Sequence, residues 1–300
     1  MLFKTVAPLH HLYLGRDMSF QFAPNASVVP IPDWLKKDVS QLGQDEEECT
    51  HCFVYESEDN TPRYDPIYLA NLALWLQPLS PVSFTFVFHA EESSGTFSVL
   101  MCERHDRFFY LPNDALNRGR IACEDLQPAQ RLYAALSKIR RHSAPWTACR
   151  AVTMALQMQR DEIRNLLLWI ALEALFGVKN GAEIRYRLSQ RLAFFIANDR
   201  AEASELFAKA RRGYNIRCKV AHGEWGPQTQ NTDEAVAITG GTEEFVRRSL
   251  IRLLQDDGTT EQFCGKNREA FLDGLPFLES VRHHGALPTP AQSTEDADRE

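Results

Sequence analysis

Arg217 and His222 are separated by four residues in "YNIRCKVAHG", at the end of the most basic stretch of the chain. An arginine guanidinium is a fixed fork of donors that matches phosphate oxygens. An imidazole gives or takes a proton near neutral pH. Together they are the components of proton transfer at a phosphate. Lys219, Arg211 and Arg212 are close in sequence, and Arg187 and Arg191 lie one helical turn apart upstream. Such cations hold a nucleic-acid backbone by salt-sensitive attraction that does not depend on base sequence. Taken alone, the same pattern also fits a structural histidine that follows a solvated basic helix face.

Charge is distributed unevenly. The 300-residue chain has a net charge of −7, which by itself argues against a nucleic-acid partner. Between Lys179 and His222, however, ten Lys or Arg face four acids, so this segment carries +6 and the remainder −13. A locally basic region on an acidic protein is an electrostatic footprint. Glu173, within "ALEALF", is an acid on an otherwise apolar helix. Buried there it needs a partner, and an ion pair that orients Arg217 or another basic residue supplies one.

The seven cysteines are scattered as free thiols of a reducing compartment would be, no apolar run reaches membrane length, and the first residues lack a basic region followed by a long apolar core, so no secretory signal is expected. A cytoplasmic location is expected. Cys49 and Cys52 form one C-x-x-C, but a structural zinc site needs a second pair of ligands at similar spacing. Only His51, Cys102 and His105 are candidates nearby, so ordinary strand or loop cysteines are the reading, with no metal and no cofactor.

The elements that must position these residues change character along the chain. The first half is mostly β. Val82–Ala90 alternates Phe84, Phe86 and Phe88 with Ser83, Thr85 and Val87; Thr96–Glu103 and Arg107–Pro112 are two further strand candidates, the first reached through a turn at Ser93-Ser94-Gly95. Asp65–Pro78 is either a short helix or a buried strand, and Gly43–Cys52 an exposed acidic loop. From about Leu126 the period is helical, with Leu132, Leu136 and Ile139 on one face. Pro145 interrupts, a helix begins near Thr147, Asp161 starts a further segment and Gly177 ends it. Ile184, Leu188, Leu192 and Phe195 point to a core. Gly213 divides the next segment, and Thr242 caps the last helix, whose inner face carries Phe245, Leu250, Leu253 and Leu254. Helices joined by short loops favour an antiparallel bundle, and the polar stretch from about residue 286 reads as a disordered tail.

Three ordered blocks carry a resemblance: "LWIALEALFG" (Leu168–Gly177), "EIRYRLSQRLAFF" (Glu183–Phe195) and "YNIRCKVAHG" (Tyr214–Gly223). They resemble the two core helices and the R-x4–6-H signature of the Apea-like branch of the HEPN superfamily, over roughly residues 126–256. The bare signature is loose, and its specificity here comes from its place after two matching helices.

The β character of the first half, read from its alternation, and the helical bundle that the resemblance implies together give an α+β chain. A β-rich N-terminal domain (1–122) of unknown ligand would precede an all-α, HEPN-like antiparallel bundle (123–260) and a C-terminal extension (261–300). The resemblance implies metal-independent cleavage of RNA, with Arg217 and His222 catalytic and Lys219, Arg211, Arg212, Arg187, Arg191, Glu173, Tyr214 and Cys218 binding RNA or supporting the pair. Five residues place Arg217 and His222 about 140° apart on an ideal helix. The superfamily's answer to that separation is a homodimer in which two motifs build one cleft. The implied setting is antiphage defence or toxin-like growth arrest, with a phage-derived or antitoxin-like protein as regulator. Two positions depart from relatives. Cys218 stands where Ser is common in this branch, and Glu224 where toxins regulated by nucleotidyl transfer carry Tyr. The competing expectation is an inactive HEPN-type module for dimerisation or RNA binding.

Overall fold

Six strands pair antiparallel into one sheet: β1 (Phe3–Leu9), β2 (Phe20–Ala23), β3 (Ala26–Pro30), β4 (His51–Ser57), β5 (Phe86–Ser93) and β6 (Thr96–Arg104), in the order β2-β3-β4-β1-β5-β6. The computed structural model describes residues 2–277 apart from His11, Tyr13, Arg16, residues 43–48, Pro62, 78–83, 105–125, Gln159, 179–182 and 225–231. The third expected strand, the boundary near residue 122 and the tail from 286 therefore lie outside the described residues.

The central strands are covered on both faces, which explains their sequence signature, whereas no residue of the edge strand β6 is fully buried. Helix α1 (Asp33–Gln41) lays Leu35 and Val39 over Val6, Cys52, Val54 and Phe88. On the other face, Ala7, Leu9, Phe22, Phe53 and Val87 join the main core, which runs on into the helices. Phe86 and Phe88 thus pack toward α1 while Val87 is equally buried behind them. The strand expected over 82–90 begins later, at Phe86. Its turn into β6 uses Ser94 and Gly95, both at positive φ (54° and 79°), as a two-residue hairpin with right-handed twist requires.

The ambiguous Asp65–Pro78 run is a helix, α2 (Tyr64–Leu76). It lies between the sheet and helices α3 (Gln127–Ser137), α4 (Ala144–Ala155) and α8 (Thr232–Leu254), and every residue from Asn71 to Leu76 is buried. A helix enclosed on all sides has no polar face, so its period disappears from the sequence.

The remaining helices are α5 (Asp161–Phe176), α6 (Ile184–Ile196), α7 (Arg200–Ala221), α9 (Asp257–Cys264) and α10 (Arg268–Gly274). Pro145 opens α4 instead of interrupting: Ser143 caps the helix by accepting from the Trp146 N–H, and proline in a first turn removes no helical hydrogen bond. Helix α5 packs against α4, α6, α7 and α8, burying Leu168, Trp169, Leu172, Leu175 and Phe176. Each such side chain contributes on the order of 1.5–3 kcal/mol.

Three expectations are corrected. Gly213 does not divide its segment, because α7 is continuous across it. A Cβ there would lie 2.8 Å from Trp169 Cζ2, so the glycine is a close-approach point between α7 and α5. Thr242 is internal to α8, where its hydroxyl donates to Asn165 Oδ1 at 2.8 Å; it caps nothing. Ile184, in the first turn of α6, is 43% exposed and outside the core.

Two arginines close the C-terminal end of α5. Arg268 donates to the carbonyls of Ala174 and Leu175, and Arg191 to those of Phe176 (3.1 Å) and Gly177 (2.9 Å). These carbonyls have no partner within the helix, and the cations also complement the negative end of its dipole. Asp273 of α10 accepts from Arg191 and Arg187, so the chain beyond residue 260 is fastened back under α5 and α6. No helix among the described residues is long and apolar enough to cross a membrane.

Candidate functional site on the seventh helix

Every residue of the R-x4-H pattern lies on α7 or at its end, and the helix divides them between two faces. Ala203, Leu206, Ala210 and Tyr214 form the buried face. Arg217, three residues beyond Tyr214, falls on the same side and reaches Glu173 of α5. Its Nε lies 2.9 Å from Oε1, and its Nη2 donates to Oε2 at 3.2 Å. The Nε contact is close in charge but poorly aligned as a hydrogen bond.

The pairing is side-on and partly enclosed. Nε and Oε1 are out of solvent, yet the two side chains remain 22% and 28% exposed, so the exposed part lies elsewhere on them. Nη1 makes no hydrogen bond to a described residue. Tyr214 completes the cluster: its ring lies 5.6 Å from the Arg217 guanidinium and edge-on to Trp169 at 5.4 Å. Burial first, then the Glu173 charge, raise the Tyr214 pKa and keep the phenol a donor.

The opposite face is a solvated stripe. Arg211, Asn215, Lys219 and His222 succeed one another at helical spacing and are all exposed, with Arg212 beside them. Arg185 of α6 donates to Asn215 Oδ1 at 2.6 Å. Tyr186, 44% exposed, meets Phe207 edge-on at 5.2 Å, and the Arg211 guanidinium lies 5.6 Å over the Phe207 ring. Cations and aromatic rings are thus interleaved along one surface.

His222 occupies the helix terminus. Its own N–H donates to the Cys218 carbonyl at 3.0 Å, and its side chain makes no hydrogen bond or ion pair with a described residue. The chain then turns on Gly223 (φ 72°), with Gly223 N–H donating to Val220 and Glu224 N–H to Lys219. This double closure is a Schellman motif, so the "HG" of the signature is also a helix stop. Arg217 lies within α7 and not before it, so the separation of about 140° applies. One chain does not bring Arg217 and His222 to one point.

The other expected site residues divide in the same way. Glu173, Tyr214 and Arg217 are brought together, with Cys218 half-buried against the core nearby. Arg211, Arg212 and Lys219 share the stripe with His222. Arg187 and Arg191 do not extend it: both are tied to Asp273, and Arg191 is 1% exposed with its donors committed to α5 carbonyls. Arg191 is a structural cap that a surface ligand does not reach. Tyr186, Phe207 and Asn215 were missed in the sequence, where only the exposed aromatic beside arginines in "RYR" signalled them.

The C-x-x-C lies on the sheet, apart from this helix. Cys52 is enclosed in the α1 core, and burial pushes its thiol pKa up. Cys49 Sγ is 3.7 Å from His10 Nδ1, while His51 contacts the Met18 carbonyl oxygen at 3.1 Å. Among the described residues no group of three or more potential ligands is placed to hold a metal ion. Compared with protein-family models, with curated proteins and with solved structures, the chain matches none.

Proposed function

We propose that residues 126–256 form a HEPN-type helical bundle and that the protein is a metal-independent endoribonuclease acting as a homodimer. The observation that carries this reading is the division of α7: a partly exposed arginine held by Glu173 on one side, and a histidine within an exposed stripe of cations and rings on the other. Glu173 and Tyr214 hold Arg217 while its Nη1 edge remains to bind a phosphate oxygen. Arg211, Arg212 and Lys219 draw the RNA backbone along the stripe. Tyr186 and Phe207 offer ring faces to unpaired bases, which favours single-stranded substrate.

The chemistry is attack of the ribose 2′-oxygen on the adjacent phosphorus, which breaks the bond to the 5′-oxygen. His222 transfers a proton to or from the reacting oxygens, and Arg217 stabilises charge on the phosphoryl group. Because the two residues diverge around α7, a second chain supplies the missing partner of each site. Cleavage of cellular RNA would arrest growth, as an antiphage or toxin-like role in the cytoplasm requires, under the control of a phage-derived or antitoxin-like protein.

Growth and total RNA after induced expression of wild type, Arg217→Ala and His222→Ala test this reading, with and without phage challenge. Growth arrest and RNA fragmentation lost in both variants support it. Equal protection by all three proteins under phage challenge would end it in favour of an inactive binding module.

A further inference from the structure

A cleft of about 570 Å³ opens where the sheet meets the helices, on residues that play no part in the α7 site. Its wall is one face of α4, which presents Trp146, Arg150 and Met154 at successive helical turns, with Gln157 just beyond its end. Its floor is apolar, made by Leu69 of α2, Leu136 of α3, and Ile139 and Cys149. Glu103 of β6 reaches the rim, and Arg141, in the α3–α4 connection, is tied to Asp65 at the start of α2 at 3.1 Å. The volume and the mix of apolar floor with a few polar groups are those of a small-molecule site.

The rim charges are not equivalent. Arg141 already has Asp65 as counter-charge. Arg150 forms no ion pair with a described residue; its guanidinium lies 4.9 Å from the centre of the Trp146 ring. Trp146 in turn lies 5.2 Å from His142, so the indole is fixed by its neighbours. A stacked arginine with its donors turned outward binds planar anions well, and an adjacent indole face takes an aromatic ring. Cys149 in the floor is buried, and burial pushes its thiol up to about 12, so it serves there as an apolar surface.

We propose that this cleft binds a small anionic molecule carrying an aromatic ring, with the ring against Trp146 and the anion on Arg150. A carboxylate and a phosphate satisfy Arg150 in the same way, so aromatic acids and nucleotides share the required chemistry. The bound molecule touches α2, α3, α4 and β6 at once, and so ties the sheet to the helices.

Calorimetric titration of the full-length protein tests the assignment with four probes: adenosine monophosphate, indole-3-acetate, adenosine and inorganic phosphate. The first two carry ring and anion; the last two each lack one. Binding of at least one of the first two, at least about tenfold tighter than adenosine and phosphate, is expected. Arg150→Gln and Trp146→Ala are each expected to weaken that binding about tenfold, and Arg150→Gln to leave the melting temperature of the unliganded protein unchanged, since its side chain is exposed. Whichever of the two probes binds identifies the source as phosphate or carboxylate. Failure of both to bind, adenosine binding as tightly as its monophosphate, or Arg150→Gln binding like wild type would each overturn the proposal.

Discussion

Arg191 and Arg217 both reach α5 from a neighbouring helix, one full turn apart along it, yet they are used in opposite ways. Arg191 is enclosed, and its donors go to Asp273 and to the carbonyls of Phe176 and Gly177. Arg217 binds one carboxylate side-on and keeps part of its surface in solvent. The difference separates an arginine whose donors the fold consumes from one that keeps a donor once its partner in the fold is satisfied.

The largest effect should come from Arg191→Leu. It leaves the carbonyls of Phe176 and Gly177 without a donor and Asp273 with Arg187 alone, and loss of these charge-assisted hydrogen bonds costs about 2–3 kcal/mol, discounted for the half-exposed Asp273 carboxylate. Urea unfolding checks it; a change under about 1 kcal/mol would contradict the capping role. Asp273 sharpens the same point through pH. Burial alone would raise its pKa, but hydrogen bonds from Arg191 and Arg187 prevail and lower it. Its contribution is therefore complete above the ordinary value of 3.8 and is lost as pH falls below it. The stability gap between wild type and Asp273→Asn should close on acidification through that range.

Gly213→Ala comes next. The new methyl meets Trp169 at 2.8 Å, and overpacking costs about 1–3 kcal/mol against roughly 1 kcal/mol gained in helix propensity. A net loss of stability in thermal unfolding is expected; a stabilised variant would mean that α5 and α7 part easily. Glu173→Gln should cost about 1–2 kcal/mol by removing the charge that holds Arg217, and should lower RNA cleavage as well. The smallest structural effect belongs to His222→Ala, under about 0.5 kcal/mol because the side chain is exposed, together with loss of cleavage.

The sequence was most legible where one face of a helix is solvated. Asp161, an acid in the first turn, and Gly177, the residue after the last, mark the two ends of α5 locally, whereas the Ser143 cap of α4 went unread behind Pro145. Glu173 betrayed its need for a partner because an acid interrupts an apolar run, and the partner is Arg217. Helix α2 was illegible because burial on every side erases its period. Strands β1 to β4 escaped notice: β2 and β3 are short, all four are covered by elements distant in sequence, and His51 and Cys52, read as the end of an exposed loop, are buried at the start of β4. Arg191 read as surface because a regular basic spacing does not reveal Asp273, 82 residues away. Gly213 read as a break because only the approach of Trp169 explains it.

Arg217 and His222, which face apart on α7, are proposed to act only when two chains meet. The direct test mixes purified Arg217→Ala and His222→Ala proteins, after subunit exchange, with end-labelled single-stranded RNA in the presence of a metal chelator. Each variant alone should be inactive, wild type active, and the mixture should regain cleavage, because a mixed dimer joins an intact arginine from one chain to an intact histidine from the other. A mixture that forms the mixed dimer yet remains as inactive as its components, or either variant cleaving as wild type does, would contradict it.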